Sequence, residues 1–252
     1  MIENSHIEIV ELESCSSTND AIVPYIKKQS NQKPVIVISK EQTAGKGQRG
    51  KKWLSPNNAG WYFSLYLPFL NLPSPSAHLI NWVVLKAVIE HLYNCGLESI
   101  QFKWPNDIYT DNGKLGGILV ENNLQGNTIK SAIIGIGINQ EPIRVDGSIF
   151  GTTSLAEEEV KFYGKPKENI VAICEQIIEA FNQPLINLEG LQNYLWQFAY
   201  GKSRSFNFNL NGQIIVGQIK QMKANGFLVI NDSNTGKDIP VQSGSLVWLN
   251  EI

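Results

Sequence analysis

The stretch "EQTAGKGQRGKKWLSPNNAGWYFSLYLPF", Glu41 to Phe69, decides how this chain folds. Gly45, Gly47 and Gly50 form a literal G-x-G-x-x-G after the apolar run "PVIVISK", residues 34–40, which reads as a buried strand. A dinucleotide site needs the third glycine to open a helix whose N-terminus holds the pyrophosphate. Here Pro56, the pair Asn57-Asn58 and Gly60 break any helix, and "WYFSLYL", residues 61–67, alternates as a second strand. The order is strand, basic loop, strand, so the glycines serve another purpose. They let the backbone approach a ligand closely, while Lys46, Arg49, Lys51 and Lys52 supply charge-assisted donors for phosphate or carboxylate. On these residues alone, a solvated loop kept soluble by its lysines is an equal alternative.

The positive charge is local. From Lys40 to Lys52 there are five basic residues and one acidic, Glu41, whereas the whole chain of 252 residues carries a net charge of −2 with 17% charged residues. That balance argues against a general nucleic-acid binder. A 42% hydrophobic content at this length supports a full core and suits one large domain with a small second one. No apolar run approaches the roughly 20 residues that span a bilayer, and the N-terminus lacks a signal-peptide pattern, so a cytoplasmic protein without membrane association is expected.

Cys15, Cys95 and Cys174 are widely spaced packing candidates, and His6, His78 and His91 are equally isolated. With no nucleophile elbow, metal-ligand spacing or Cys-His pairing, catalysis here is expected to work by positioning and charge stabilisation, the substrate bringing its own nucleophile.

Working outward, "SSTNDAIVPYI" offers Thr18 or Asn19 as a helix N-cap, and residues 76–95 have helical spacing ending at Gly96. Asp111-Asn112-Gly113 predicts a hairpin turn, and "IKSAIIGIGIN", residues 129–139, reads as a central strand. Helices are predicted near 167–183 and 188–200. After residue 202, short strands separated by Asn211-Gly212, Asn225-Gly226 and Asn234-Thr235-Gly236 have the spacing of a small all-β barrel. The expected division is a mixed domain over 1–201 and a β module over 202–252.

Three further stretches carry chemistry. "KWPNDIY", residues 103–109, presents Lys103, Asn106 and Asp107 together; Asp107 suits an adenine amine or a metal, with Lys103 as its alternative salt-bridge partner. "KLGGILVE", residues 114–121, puts Lys114 after the hairpin turn, and Gly116 and Gly117 leave room for a flat ligand or mark a β-bulge. "GIGIN" ends in Asn139, whose amide either reads a base edge or caps a turn.

Together with "SSTN", residues 16–19, these stretches resemble the biotin protein ligases over nearly the whole chain. The resemblance implies an α+β fold: a mixed β-sheet with flanking helices, like class II aminoacyl-tRNA synthetases, followed by a small SH3-like β-barrel. It implies that ATP and biotin, with Mg2+, form biotinyl-AMP, and that biotin passes to a lysine of a biotin carboxyl carrier protein. Ser17, Thr18, Asn19, Gln42, Gly45, Lys46, Gly47, Lys114, Gly116 and Gly117 would bind biotin. Lys46, Gln48, Arg49, Gly50, Trp53, Lys103, Asn106, Asp107, Lys114 and Asn139 would bind ATP or the adenylate, with Lys114 and Arg49 catalytic. Asp107 and Glu121 are the magnesium ligands to test.

Where the family often has loop arginines, this chain has Lys46 and Gln48, which lose the bidentate fork or the charge. Loop 43–53 is the first candidate for ordering by ligand. Because the Ser-Thr-Asn motif arrives by residue 19, no N-terminal helix-turn-helix and no sequence-specific DNA binding are expected, while a homodimer remains compatible. The rivals are a lipoate or octanoate ligase or transferase of the same fold, a vitamin-binding sensor without turnover, and a nicotinamide-dependent oxidoreductase.

Overall fold

A computed structural model describes residues 7–29, 33–143, 151–160, 164–183 and 185–252. Of the residues singled out above, His6 lies outside them. The chain up to Asn139 supplies strands β1 (Glu8–Leu12), β2 (Val35–Ser39), β3 (Gly60–Leu67), β4 (Leu72–Pro73), β5 (Gln101–Lys103), β6 (Asp107–Thr110), β7 (Gly113–Gln125) and β8 (Thr128–Asn139). Its helices are α1 (Thr18–Ala21), α2 (Val23–Lys28) and α3 (His78–Asn94), followed by α4 (Pro166–Asn182) and α5 (Leu188–Gln197). The sheet runs β1-β2-β3-β8-β7-β6-β5, with β4 added on β8; β1 and β2 are parallel and the other pairs antiparallel. The mixed sheet of the expected α+β fold is therefore present, and β8 is central.

Both faces of this sheet are covered, by different means. On one face Ile36, Phe63, Leu65, Ile134, Ile136 and Ile138 join α3 and α4 in the main core. On the other, Val35, Val37 and Tyr66 pack against Ile22 beside α1 and α2. The period-2 side-chain alternation of each strand divides its residues between these layers. The two short helices cover only part of their face, and the uncovered remainder holds the cavity described below.

The predicted helix over 76–95 is α3, closed by Gly96 in the left-handed region at φ +96. At α1, Ser17 takes the N-cap rather than Thr18 or Asn19, whose side chains are buried in the sheet-facing network instead. From Phe206 onward the chain forms a separate antiparallel sheet, β12-β11-β10-β9-β13, from β9 (Phe206–Leu210), β10 (Gln213–Met222), β11 (Leu228–Asp232), β12 (Asp238–Val241) and β13 (Leu246–Glu251). Phe206, Phe208 and Trp248 pack into the same apolar core as the first sheet, so the β module is docked rather than tethered. Among the described residues, no helix is long and apolar enough to cross a membrane.

Candidate functional site

The sequence of β8 builds a floor. In "IIGIGIN" the isoleucines at 134, 136 and 138 point into the core, which leaves Gly135 and Gly137 on the opposite face. Asn19 lies on Gly135, where any Cβ would overlap its side chain. The Trp53 indole lies on Gly137, and a Cβ there would stand 2.5 Å from Nε1. Gly117 of β7 borders the same indole, with Trp53, Asp107 and Lys114 around the place of its missing side chain. The flat group seated against these glycines is thus the chain's own tryptophan, whose indole N–H is buried without a hydrogen-bond partner.

Above this floor is a cavity of about 480 Å³. One end is a hydrogen-bonded network of hydroxyls and amides anchored on the Glu121 carboxylate. The Gln42 side-chain oxygen accepts from the Thr18 backbone N–H at 2.9 Å and from the Thr18 hydroxyl at 3.2 Å, and its amide donates to Ser55 at 2.7 Å. Ser64 joins Thr18 and Asn19 at 2.7 and 2.6 Å, and the Asn19 amide donates to Glu121 at 2.6 Å. Ser17, Thr18, Asn19 and Ser64 are all nearly inaccessible to solvent. Such a network is rigid because each buried polar group has its geometry fixed by the next.

The other end is cationic. Lys114 pairs with Asp107 at 2.7 Å, both about a quarter exposed, with the Lys114 ammonium 5.5 Å from the Trp53 ring centre. This corrects the reading of Lys103 as the partner of Asp107. Lys103 is 6% exposed, its ammonium 5.0 to 5.4 Å from the rings of Tyr109, Trp248 and Tyr200. Burial lowers its pKa to about 7, Asp107 opposing that shift and Lys114, Arg204 and Lys51 adding to it.

A bulge re-aims Lys114. Tyr109 pairs with Lys114 but Ile108 pairs with Gly116, so Leu115 is an extra residue on β7. Strict alternation would put Lys114 and Gly117 on opposite faces; the inserted residue brings both to the cavity. Of the two readings of the paired glycines, the bulge is present one residue before them, at Leu115, and the ring beside Gly117 is the chain's own Trp53.

The basic loop closes the site. Gly47 N–H donates to Lys51 at 2.7 Å and Trp53 N–H to Gly45 at 2.9 Å, so residues 45–53 form a folded turn. Of its glycines only Gly50 has positive φ, +74; Arg49 itself is left-handed at +57, while Gly45 is needed for space beneath the Trp53 carbonyl. Lys46 pairs with Asp20, and Arg49 donates to the Gly244 carbonyl at 2.7 Å, joining the loop to the C-terminal sheet.

Most of the candidates converge here. Ser17, Thr18, Asn19, Gln42, Lys46, Gly47, Gln48, Arg49, Trp53, Lys103, Asn106, Asp107, Lys114 and Gly117 line the cavity. Gly45, Gly50, Gly116 and Asn139 do not. Gly116 faces Ile108 and the Gly137 carbonyl, and the Asn139 amide donates to the Thr153 carbonyl at 2.9 Å. Asn139 therefore holds a loop, the second of the two uses its position in the sequence allowed.

Asp107 and Glu121 do not fit as a magnesium pair. Asp107 is paired with Gly117 across β6 and β7, so Glu121 is four residues along β7, about 13 Å away, and each carboxylate already has a partner. Among the described residues no three His, Cys, Asp or Glu side chains gather into a metal site.

The family model "Biotin/lipoate A/B protein ligase family" matches residues 11–139, half of the chain. The chain belongs to this family. The bifunctional ligase/repressor BirA of Escherichia coli is 35% identical over 162 residues, which cover 63% of this chain and 48% of that protein. Its Salmonella typhimurium counterpart is 39% identical with the same coverage, so the chain spans about half the length of these relatives. A biotin–[acetyl-CoA-carboxylase] ligase of Mycobacterium tuberculosis is 24% identical over 243 residues, covering 92% of this chain and 86% of that one. The solved biotin protein ligase of Aquifex aeolicus, in complex with biotin and ATP, shares the fold at a TM-score of 0.70 and 22% identity, covering 96% of this chain and 99% of that one.

Family motifs led to the loop and to β6–β7, but not to the whole site. Gly135, Gly137 and Ser64 were missed although "GIGIN" was singled out; the signal available was glycine at every second strand position, which empties one face. Gly244, Leu246, Val247 and Trp248 also line the cavity, and an ordinary alternating strand at the chain's far end gave no signal of that.

Proposed function

We propose that this family member activates biotin with ATP to biotinyl-AMP and transfers it to a lysine of a biotin carboxyl carrier protein. The observation that carries this reading is the two-ended cavity: a rigid network of hydroxyls and amides at Thr18, Asn19 and Gln42, and a basic end at Lys114, Lys103 and Arg49 opposite. The network end suits the donor and acceptor groups of a ureido ring. A dithiolane ring has neither, so lipoate would gain no hydrogen bond from the remaining donor and acceptor capacity of this end, and the discrimination comes from bonds that only a ureido ring can add.

In this mechanism the biotin carboxylate is the nucleophile and the α-phosphorus of ATP the electrophile, with pyrophosphate leaving. Lys114 exchanges its bond to Asp107 for the developing phosphate charge, with Arg49 and Lys103 alongside. The acceptor amine then attacks the carbonyl of the mixed anhydride and AMP leaves. Trp53 moves from its seat on Gly137 to stack on the adenine, and loop 43–53 with the C-terminal strand keeps water from the anhydride. Residues 1–201 are the catalytic unit and 202–252 its cover. Magnesium enters on the triphosphate, as part of the substrate.

The test is pyrophosphate release with ATP, magnesium and either biotin or lipoate, followed by mass spectrometry of an added biotin carrier domain. Biotin-dependent release with one biotin on the carrier supports the reading. Lipoate-dependent release moves the protein to the other branch of the family, and tight biotin binding without release makes it a sensor.

A further inference from the structure

Lys114 is the second residue of β7, between the hairpin turn at 111–112 and the bulge at Leu115, where a strand end is weakly held. Its backbone is nevertheless fixed on both sides. Its N–H donates to the Gly151 carbonyl at 3.2 Å, and its carbonyl accepts from the Thr153 N–H at 3.0 Å, so residues 151–153 form a parallel bridge with it. Gly113, at φ +141, permits this approach, since a Cβ there would stand 2.9 Å from backbone atoms of Gly151 and Thr152.

Segment 151–155 belongs to no strand and is held from two sides. Asn139 holds one side, its amide donating to the Thr153 carbonyl and its own carbonyl accepting from the Leu155 N–H, both at 2.9 Å, and Glu158 holds the side that faces the turn before Lys114. One carboxylate oxygen accepts from the hydroxyls of Thr110 and Thr153, at 2.7 and 2.8 Å, and from the Asn112 amide at 3.0 Å; the other accepts from Ser99 at 3.2 Å. Thr110 precedes and Asn112 lies in the turn just before Lys114, and Thr153 sits on the segment bonded to it. Thr110 and Thr153 are 1% and 2% exposed. Burial alone would raise the carboxyl's pKa, but the bonds from Thr110, Thr153, Asn112 and Ser99 outweigh it and hold it below the usual range, so Glu158 is ionised at neutral pH. Glu158 is not among the residues lining the cavity, so it acts through others.

We propose that Glu158 is a positioning residue for Lys114, clamping the turn before it to the segment paired with it so that its ammonium points into the cavity. This rests on the reading that Lys114 serves biotin adenylation.

The test has two readouts. In the first, biotin-dependent pyrophosphate release, Glu158→Ala should lower kcat about 10- to 100-fold, within the range expected for displacing one charge-stabilising donor. Its biotin affinity should stay within about twofold of wild type, because the Thr18–Gln42 end shares no bond with the clamp. In a Lys114→Ala background the same change should cost less than about twofold, since residues acting as one unit are not additive. Full additivity, or loss of biotin binding in step with kcat, would overturn the proposal.

The second readout is acylation of lysines by an N-hydroxysuccinimide ester, followed by peptide mass spectrometry. Lys114 should label at least threefold faster in the variant while Lys86 does not change; equal labelling also overturns the proposal. Thr153→Val covers the case in which Glu158→Ala does not fold: it should show the same pattern in smaller measure, with Thr153→Ser restored. If wild type releases no pyrophosphate with biotin, the functional reading fails, and the labelling alone decides the clamp.

Discussion

The two faces of β8 solve opposite problems with alternate residues of one strand. The isoleucine face is filled: Ile134, Ile136 and Ile138 are at most 3% exposed and pack with α3 and α4. On the other face Gly135 and Gly137 have no side chain, and what covers them, Asn19 and Trp53, comes from loops and a short helix. The first arrangement contributes stability through buried area. The second gives up that contribution to leave a floor on which a ring can lie, and on which polar side chains rather than apolar ones converge. The lesson is that a core and a ligand cavity can share one strand when its period-2 alternation also alternates side-chain size.

The sharpest way to break this comparison is to disable chemistry on the glycine side alone. Lys114→Ala should reduce adenylate formation on the order of 10²–10³-fold, with thermal unfolding close to wild type, because only one ion pair, about a quarter exposed, is lost. A parallel loss of stability would show that the cavity face carries the fold as well. The converse substitution, Ile136→Ala, should cost about 2–5 kcal/mol in denaturant unfolding while pyrophosphate release below the transition stays within a few-fold of wild type.

Gly137→Ala tests the floor itself. The new methyl stands where Trp53 Nε1 is, so the indole must lift. The expected result is a red-shifted tryptophan emission and roughly tenfold weaker nucleotide binding, with stability changed by less than about 1 kcal/mol. Unchanged emission would mean that Trp53 does not occupy the floor in solution.

A smaller effect concerns protons. Lys103, with its pKa lowered to about 7 by burial, is mostly neutral at pH 8 in the free protein, and an incoming polyphosphate raises that pKa by supplying opposite charge. Nucleotide binding at pH 8 should therefore take up a fraction of a proton, falling toward zero by pH 6, where Lys103 is already charged. Calorimetry in two buffers of different ionisation enthalpy measures it, and Lys103→Met should abolish it. The smallest expected effect is at Gln48, an uncharged residue lining the cavity beside Arg49. Gln48→Arg should lower the release of biotinyl-adenylate to solvent lysines about twofold to threefold, read by non-specific biotinylation of albumin; equal leakage would remove Gln48 from the account.

Much of the site was legible because its residues sit in short contiguous stretches. "EQTAGKGQRGKKW", "KWPNDIY" and "KLGGILVE" each reach the cavity, and the absence of a helix after Gly50 was readable from Pro56, Asn57, Asn58 and Gly60. Asn139 was left with two uses because an amide at a strand end serves several, and the position of Thr153 shows that it holds a loop. Glu158 carried no signal, since its donors come from Ser99, Thr110, Asn112 and Thr153, scattered over three segments.

By itself the sequence determined most of the strand and helix order, though not β1 or β4, and the basic glycine loop and the family, because periodicity, turn chemistry and motif spacing are local properties of the chain. Tertiary structure alone decided that Lys114 pairs with Asp107 rather than Lys103 with Asp107, that Leu115 bulges to turn Lys114 inward, and that Arg49 meets the Gly244 carbonyl 195 residues away. The physical reason is that register and long-range pairing depend on how the hydrophobic faces dock, and a one-residue shift in register changes which side chains meet without changing any local pattern.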